Sequence, residues 1–192
     1  MDPRRRAFLG AITAPLAGAW PAHAAQAVAR SGYFPNVPLR TQDGTRVRFY
    51  DDLLKGKVVA INFIFTTCPL FCPRATANLV KVQGKLGARL GRDVFMLSIS
   101  IDPDTDTPPV LKNYATTHSA KPGWLFLTGS KGDVDVIRRK LGVFDDDPDM
   151  TQHTGILTYG NERTGAWDAM PVIASPTTIA RALLRVAGPA LA

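Results

Sequence analysis

Two cysteines, Cys68 and Cys72, carry the most reactive chemistry in this 192-residue chain. They lie in residues 66–73, directly after the apolar and β-favouring run of residues 58–65 and before a helical pattern. Ligands bind at the carboxyl ends of strands in open α/β sheets, and a helix N-terminus favours thiolate over thiol. A thiolate is both the nucleophile of disulfide exchange and a ligand for soft metals. The segment is therefore predicted to do redox or metal chemistry.

A structural disulfide, or two buried structural cysteines, is the alternative interpretation of this segment. A disulfide between Cys68 and Cys72 would close only a short loop, which contributes little chain entropy to stability. The i, i+4 spacing places both sulfurs on one face of a regular helix. Pro73 disfavours helical geometry at Cys72, so the helix starts either near Pro73 or one turn earlier with a kink. The sequence leaves that geometry open.

His153 is the candidate third ligand, because it lies immediately before the strand predicted at residues 156–159. In a thioredoxin-like sheet the loop of His153 faces the loop of the cysteines. Two thiolates and one imidazole suit Cu(I) and accept Cu(II) with added ligands. Zinc with a water as fourth ligand remains an alternative. We predict that Cys68, Cys72 and His153 bind one metal ion.

The elements that position these residues follow from the hydrophobic periodicity of the chain. Buried strands are predicted at residues 58–65, 94–101 and 124–127, with helical patterns between them and a β-hairpin over residues 156–170. A final helix is predicted over residues 178–186. The order β-α-β-α-β-α-β-β-α predicts a thioredoxin-like α/β fold, with a central mixed β-sheet flanked by helices, a terminal hairpin and a C-terminal helix.

The N-terminus carries the features of an export signal. Residues 4–9, Arg-Arg-Arg-Ala-Phe-Leu, resemble the twin-arginine type, and residues 22–24, Ala-His-Ala, match a signal-peptidase site. We expect cleavage after Ala24 and a periplasmic location; a retained membrane anchor or an amphipathic first helix is the alternative. The predicted division of the chain is a signal peptide at 1–24, a lead-in at 25–45 and the thioredoxin-like domain at 46–188.

The composition excludes several protein classes. With 45% hydrophobic and 20% charged residues the chain is neither disordered nor fibrous. Its apolar runs are shorter than the about 18 residues of a spanning helix, which argues against an integral multi-span protein. Two cysteines are too few for a disulfide-rich scaffold or a four-cysteine zinc site. The net charge is +7, but the basic residues are scattered, so no nucleic-acid face is predicted.

The cysteine segment resembles a known family. Residues 65–73, Phe-Thr-Thr-Cys-Pro-Leu-Phe-Cys-Pro, are similar to the Cys-x-x-x-Cys-Pro signature of the Sco/SenC copper proteins. Residues 99–108 resemble the second-strand segment of that family, and His153 falls where its copper-binding histidine stands. The likeness runs from about residue 43 to 186.

The resemblance implies a thioredoxin fold that binds one copper ion, Cu(I) or Cu(II), through Cys68, Cys72 and His153. Members of the family assist assembly of the dinuclear copper centre of cytochrome c oxidase, and some reduce the cysteines of that centre. The chain departs from the family at Leu70, where an acidic residue is common, and at Gln152, where an aspartate is common. Many members keep a membrane tether, whereas release near the membrane is expected here.

Three functions follow as hypotheses. The first is a copper carrier, not an enzyme, that serves the copper-site subunit of cytochrome c oxidase or another copper protein. The second is an enzyme, a thiol–disulfide oxidoreductase that uses Cys68 and Cys72 without obligate copper. The third is a redox or copper sensor with a regulatory partner. Reductase activity that survives His153→Ala without copper would favour the second hypothesis over the first.

Other candidate residues receive structural interpretations. Asp102, Asp104 and Asp106 begin like a calcium loop but lack its later glycine and glutamate, so a turn that caps the next helix is predicted. Residues 145–149 are interpreted as a solvated acidic loop. His118 is expected to be a charge partner at a helix C-terminus, and Met150 to pack.

Overall fold

A mixed sheet of seven strands organises residues 32–145 and 155–189, the parts of the chain that the computed structural model describes. In chain order the elements are β1 (Pro38–Thr41), β2 (Arg46–Arg48), a π-helix (Phe49–Leu54), β3 (Val58–Ile64), α1 (Phe71–Leu86), a 3-10 turn (Gly87–Arg89), β4 (Val94–Ser100), α2 (Pro108–Thr117), β5 (Trp124–Thr128), α3 (Lys131–Lys140), β6 (Ile156–Asn161), β7 (Ala166–Pro171) and α4 (Pro176–Ala187). The spatial strand order is β2-β1-β5-β4-β3-β6-β7.

The centre of the sheet is parallel, as the continuous apolar runs predict. All seven residues of β3 are buried, which is expected of a strand covered on both faces. β3 pairs in parallel with β4, from Val58 opposite Val94 to Ile64 opposite Ser100, and β4 pairs in parallel with β5. The carboxyl ends of these three strands therefore meet at one edge of the sheet, and that edge carries the cysteines.

The second half of the sheet is antiparallel. β6 pairs with β3 and with β7, so the predicted terminal hairpin is present. The C-terminal helix α4 begins where Ser175 accepts a hydrogen bond from the amide of Thr178, and α4 packs against α1, β3 and β6. The predicted thioredoxin-like class is confirmed: a central mixed sheet flanked by helices, with a terminal hairpin and a C-terminal helix.

Two strands precede the predicted elements, because β1 already begins within the segment interpreted as a lead-in. They are only four and three residues long and carry proline and arginine, so they lack an apolar run. A hairpin signal was nevertheless present, since Asp43-Gly44 lies between them and Gly44 has a φ of 79°. β1 joins the sheet antiparallel to β5, with Arg40 opposite Thr128.

None of the helices within residues 32–145 and 155–189 is long and apolar enough to cross a membrane. The predicted export signal at residues 1–24 lies outside the described residues. Its cleavage and the periplasmic location stay predictions.

Candidate functional site

The two cysteines lie at the β3–α1 junction, at the carboxyl edge of the parallel strands. Cys68 is in the loop after β3, and Cys72 is the second residue of α1, which begins at Phe71. Both side chains are thiols and both are buried, with 5% and 1% of their surface exposed. Pro73 is tolerated because the first-turn amides of a helix have no partner within that helix. The helix thus starts two residues before the proline.

The start of α1 supplies hydrogen-bond donors to Cys68. No side chain caps this helix at Leu70, so its first amides are available to other acceptors. The amide of Cys72 donates to Cys68 Sγ over 3.3 Å. Burial raises the pKa of Cys68, but the amides of Cys72, Leu70 and Phe71, together with the Cys72 thiol, outweigh it and lower the pKa below its ordinary value. Cys68 is therefore the thiol that ionises more readily.

Cys72 has the opposite electrostatic environment. Burial raises its pKa to about 12, the amide of Phe65 opposes this, and a hydrogen bond and charge interaction with Cys68 add to the rise. The charge of Asp106 contributes in the same direction. The pair is therefore asymmetric, with a thiolate favoured at Cys68 and a thiol at Cys72, a distinction that the sequence left undecided.

Asp106 anchors the cysteine loop, a role that the sequence did not reveal. Its side chain is completely buried and accepts hydrogen bonds from the amide and hydroxyl of Thr66 and, over 2.6 Å, from the hydroxyl of Ser100. The amide of Thr66 lies 3.1 Å from the carboxylate. The turn at residues 102–106 was predicted to cap α2. That prediction is wrong with respect to a side-chain cap, because the side chain of the N-cap residue Thr107 accepts no hydrogen bond from the first amides of α2. Asp106 instead fixes the backbone two residues before Cys68.

Tyr114 of α2 lies near the two thiols, on another side of the site from Asp106. Its hydroxyl lies 3.0 Å from Thr76 Oγ1 on α1. Burial raises the pKa of Tyr114 to about 12; Thr76 opposes this, and the charges of Cys72, Cys68 and Asp106 add to it. The phenol therefore stays neutral beside the thiols.

The His118 ring packs against the Tyr114 ring at the end of α2, with ring centroids 4.4 Å apart and ring planes tilted by 45°. Burial lowers the pKa of His118, which favours neutral imidazole. The expectation that His118 acts as a charged partner of the helix end is therefore not supported.

His153 lies outside the described residues, as do Met150 and positions 146–149 of the predicted acidic loop. Asp145, at the start of that loop, forms an ion pair with Arg138 at 2.9 Å. Within the described ranges, no three of the His, Cys, Asp and Glu side chains are grouped closely enough to hold a metal ion. The three-ligand set with His153 therefore stays a prediction.

Gly155 lies beside the cysteine loop. A Cβ at this position would overlap the ring of Phe71, which stands between the two cysteines in the sequence, so a larger residue here would force that ring to move. The carbonyl of Gly155 accepts a hydrogen bond of 2.8 Å from the amide of Val172. This contact brings position 155 against the residue that begins α1.

Comparisons with known proteins match the whole described domain. The family model described as SCO1/SenC matches residues 36–188. The SCO1 protein homolog of Bacillus subtilis (strain 168) is 41% identical over 91 residues, which is 47% of this chain and 46% of that protein. The chain spans about half the length of the curated relatives it matches.

Solved structures of Sco proteins are also similar to this chain. A structure of Bradyrhizobium japonicum ScoI with copper bound has a TM-score of 0.64 and 28% identity, over 79% of this chain and 99% of that one. BsSco, described as a member of the Sco family of cytochrome c oxidase assembly proteins with a disulfide switch, has a TM-score of 0.66 and 27% identity. That match covers 80% of this chain and 93% of BsSco.

Proposed function

Because the chain belongs to the SCO1/SenC family, we propose that it binds copper through Cys68, Cys72 and His153 and delivers it to the dinuclear copper site of cytochrome c oxidase. The observation that carries this proposal is the asymmetric pair of buried thiols at the start of α1. Thiolate sulfur is the ligand type that Cu(I) prefers, and the similar Bradyrhizobium protein has a structure with copper bound.

The contact of Gly155 with Phe71 supports His153 as the third ligand. His153 precedes Gly155 by two positions, and two residues extend at most about 7 Å. This short distance along the chain supports the proposal that the imidazole reaches the cysteine loop. Either imidazole nitrogen would complete a low-coordinate set suited to Cu(I), and added ligands would accommodate Cu(II).

Each residue has a distinct task when copper binds as cargo. The amides of Leu70, Phe71 and Cys72 stabilise negative charge on Cys68, which is then ready to act as the first ligand. Cys72 must lose its proton on binding, so copper uptake releases a proton from this thiol. Only the dithiol can hold the ion, and acceptor cysteines would take it by ligand exchange.

Copper titration of the reduced chain tests this function, with Cys68→Ser, Cys72→Ser and His153→Ala as ligand variants. Loss of even an outer-shell partner weakens metal sites 10- to 100-fold, so each ligand variant should lose at least about tenfold in affinity. His118→Ala is the matched control, because His118 packs against Tyr114 and is not a proposed ligand. Failure of the reduced wild-type chain to take up copper at sub-micromolar free metal would reject the proposal.

A thiol–disulfide reductase is the second candidate, favoured by the opposed pKa shifts of the two cysteines. The Cys68 thiolate would attack a substrate disulfide, form a mixed disulfide and release one substrate thiolate, which takes up a proton. Cys72 would then lose its proton and attack Cys68 Sγ, which releases the second thiol and leaves a Cys68–Cys72 disulfide. Two electrons pass to the substrate in these steps.

His153 separates the two functions, because the reductase steps do not use it. A His153→Ala variant that loses copper affinity but reduces disulfides at the wild-type rate would show two separable activities. A variant with wild-type copper affinity would remove His153 from the proposed ligand set.

We also propose that the chain works in the periplasm after export, with cleavage near Ala24. The motifs at residues 4–9 and 22–24 support this location. Fractionation of cells and N-terminal sequencing of the product test it, and Arg5→Lys with Arg6→Lys should block export through a twin-arginine pathway. Protein recovered only from the cytoplasm with an intact N-terminus would contradict the location.

A further inference from the structure

A cavity lies at the same edge of the sheet as the cysteines, at the β5–α3 junction. Its volume is about 470 Å³, within the range of small-molecule sites. None of the described residues that line it belongs to the cysteine segment. They come from β1, β2, the loops after β4 and β5, and the starts of α2 and α3, and they include Arg40, Arg46, Thr128 and Asp133.

Two arginines stand side by side in this cavity. Arg46 on β2 lies directly opposite Arg40 on β1, and Arg40 lies directly opposite Thr128 on β5. Residues directly opposite in a sheet share one face, and like charges at such positions destabilise the pairing. Neither guanidinium has an ion-pair or hydrogen-bond partner among residues 32–145 and 155–189. Both side chains are exposed, so solvent already screens their repulsion, and an anion bound between them would reduce it further.

Thr128 adds an unsatisfied polar group to the same row. Its side chain is 6% exposed, and its hydroxyl has no hydrogen-bond partner in the described part of the chain. A buried hydroxyl without a partner is unfavourable, and valine would fill the same space without that penalty. The hydroxyl oxygen itself is shielded from the cavity, and a change of the Thr128 rotamer would bring it to a ligand that supplies the missing partner.

The helix starts at this cavity do not provide the anion site. Ser130 Oγ already accepts from the amide of Asp133 over 3.1 Å and donates to the Asp133 carboxylate over 2.6 Å. α2 begins with two prolines, Pro108 and Pro109, which have no N–H to donate. Asp133 is the one carboxylate among the described lining residues, against two arginines. The arginines therefore determine the preference for negative charge.

The remaining walls are apolar, formed by rings and side chains of Pro38, Leu39, Pro103 and Pro108. Guanidinium groups bind carboxylate and phosphate oxygens through paired charge-assisted hydrogen bonds. We propose that this cavity binds a small organic oxyanion, a carboxylate or a monophosphate on a short apolar body. Arg40 and Arg46 bind the oxyanion, the Thr128 hydroxyl supplies a further hydrogen bond, and the proline and leucine surfaces contact the apolar part.

Calorimetric titration of the full chain with hexanoate, hexyl phosphate and hexanol tests this site at low ionic strength. At least one of the two anions should bind, and the neutral alcohol, which has the same tail, should bind at least about tenfold more weakly. The stronger of the two anions identifies whether the oxyanion is a carboxylate or a phosphate. Equal binding of hexanol, or no binding of either anion, would overturn the proposal.

Charge variants locate the binding. Arg40→Gln and Arg46→Gln should each weaken anion binding about tenfold, because each removes a charge-assisted hydrogen-bond donor. Arg181→Gln makes the same change of net charge on exposed α4, outside the cavity, and should keep the wild-type affinity. Unchanged affinity in both cavity variants, or an equal loss in Arg181→Gln, would show that binding occurs elsewhere or is nonspecific.

Thr128→Val distinguishes a ligand-binding role of the Thr128 hydroxyl from a purely structural one. We expect the ligand-free variant to melt at a higher temperature than the wild type, because an unsatisfied hydroxyl is removed. We expect the same variant to bind the anion several-fold more weakly. A variant that is stabilised and keeps the wild-type affinity would remove Thr128 from the proposed site.

Discussion

The β3–α1 and β5–α3 junctions lie at the same edge of the sheet, but the amides at the two helix starts have different hydrogen-bond acceptors. At α1, Leu70 makes no side-chain cap, and the first amides meet the sulfur of Cys68. At α3, Ser130 and Asp133 satisfy each other and the helix end. The free amides at the start of α1 can thus stabilise the Cys68 thiolate. The amides at the start of α3 are already capped, so an anion bound there would depend on side chains such as Arg40.

The two junctions share a neighbour, the loop between β4 and α2. The backbone before Cys68 is fixed by Asp106, a buried carboxylate that belongs to the neighbouring β4–α2 loop. Pro103 and Thr107 of the same loop line the arginine cavity. One loop therefore borders both regions, and substitutions within it can show how independent they are.

The largest expected effect comes from removing that anchor. Asp106→Ala would leave the amide and hydroxyl of Thr66 and the hydroxyl of Ser100 without their acceptor in a buried site. We expect the free energy of unfolding to fall by about 2–4 kcal/mol, measured by denaturant titration of the reduced chain. Asp104→Ala, on the exposed part of the same loop, is the control and should change stability by less than about 0.5 kcal/mol. Equal stability of the two variants would mean that Asp106 does not anchor the loop.

The next effect concerns the two cysteines and their pH dependence. Since the pKa of Cys68 is lowered and that of Cys72 is raised to about 12, Cys68 carries the larger thiolate fraction near neutral pH. Alkylation of the reduced chain should modify Cys68 at least about tenfold faster, and Cys72 should gain reactivity only in strongly alkaline solution. Peptide mapping by mass spectrometry measures both rates.

Unfolding provides the control for this difference. In denaturant the two thiols should react at similar rates, because burial and the helix amides are lost together. Faster alkylation of Cys72 than of Cys68 in the folded protein would reverse the assignment of the attacking thiol.

A smaller effect is expected from the cap at the second junction. Ser130→Ala removes the acceptor of the Asp133 amide and should lower the free energy of unfolding by about 1 kcal/mol. Ser175→Ala removes the equivalent cap of α4 and should lower stability by a similar amount, without affecting the arginine cavity. The affinity for hexanoate or hexyl phosphate should change in Ser130→Ala and stay at the wild-type value in Ser175→Ala, since of these two serines only Ser130 lines that cavity. Identical anion affinity in both variants would indicate that the α3 cap has no influence on the cavity.

The smallest effect tests whether a capped, acidic start can be transferred to α1. Leu70→Asp places a carboxylate at the exposed N-cap, where it competes for the first amides and repels a thiolate at Cys68. Because the position is exposed, solvent screens the charge, and we expect alkylation of Cys68 near neutral pH to slow only about twofold. Leu70→Asn supplies a cap without charge and separates the two contributions. Faster alkylation in Leu70→Asp would contradict the role of the helix amides.

The regular parts of the fold were predictable because their signals are local. The seven buried residues of β3 form one apolar run, and the hairpin of β6 and β7 surrounds an evident turn. The short strands β1 and β2 were missed, since the pairing of β1 with β5 and of β2 with β1, rather than their own composition, makes them part of the sheet. The cysteine pair was identified from residue type and spacing, without any knowledge of its surroundings.

The sequence by itself determined the parallel core, the family and the two thiols, because hydrophobic runs and the Cys-x-x-x-Cys-Pro motif lie within short stretches of chain. Only the tertiary structure decided which thiol ionises, since that depends on burial and on the direction of the amides at the start of α1. It also decided that Asp106 holds Thr66 across 40 positions, and that Arg40 faces both Arg46 and Thr128. Such contacts arise from strand order and register, and no local pattern specifies them.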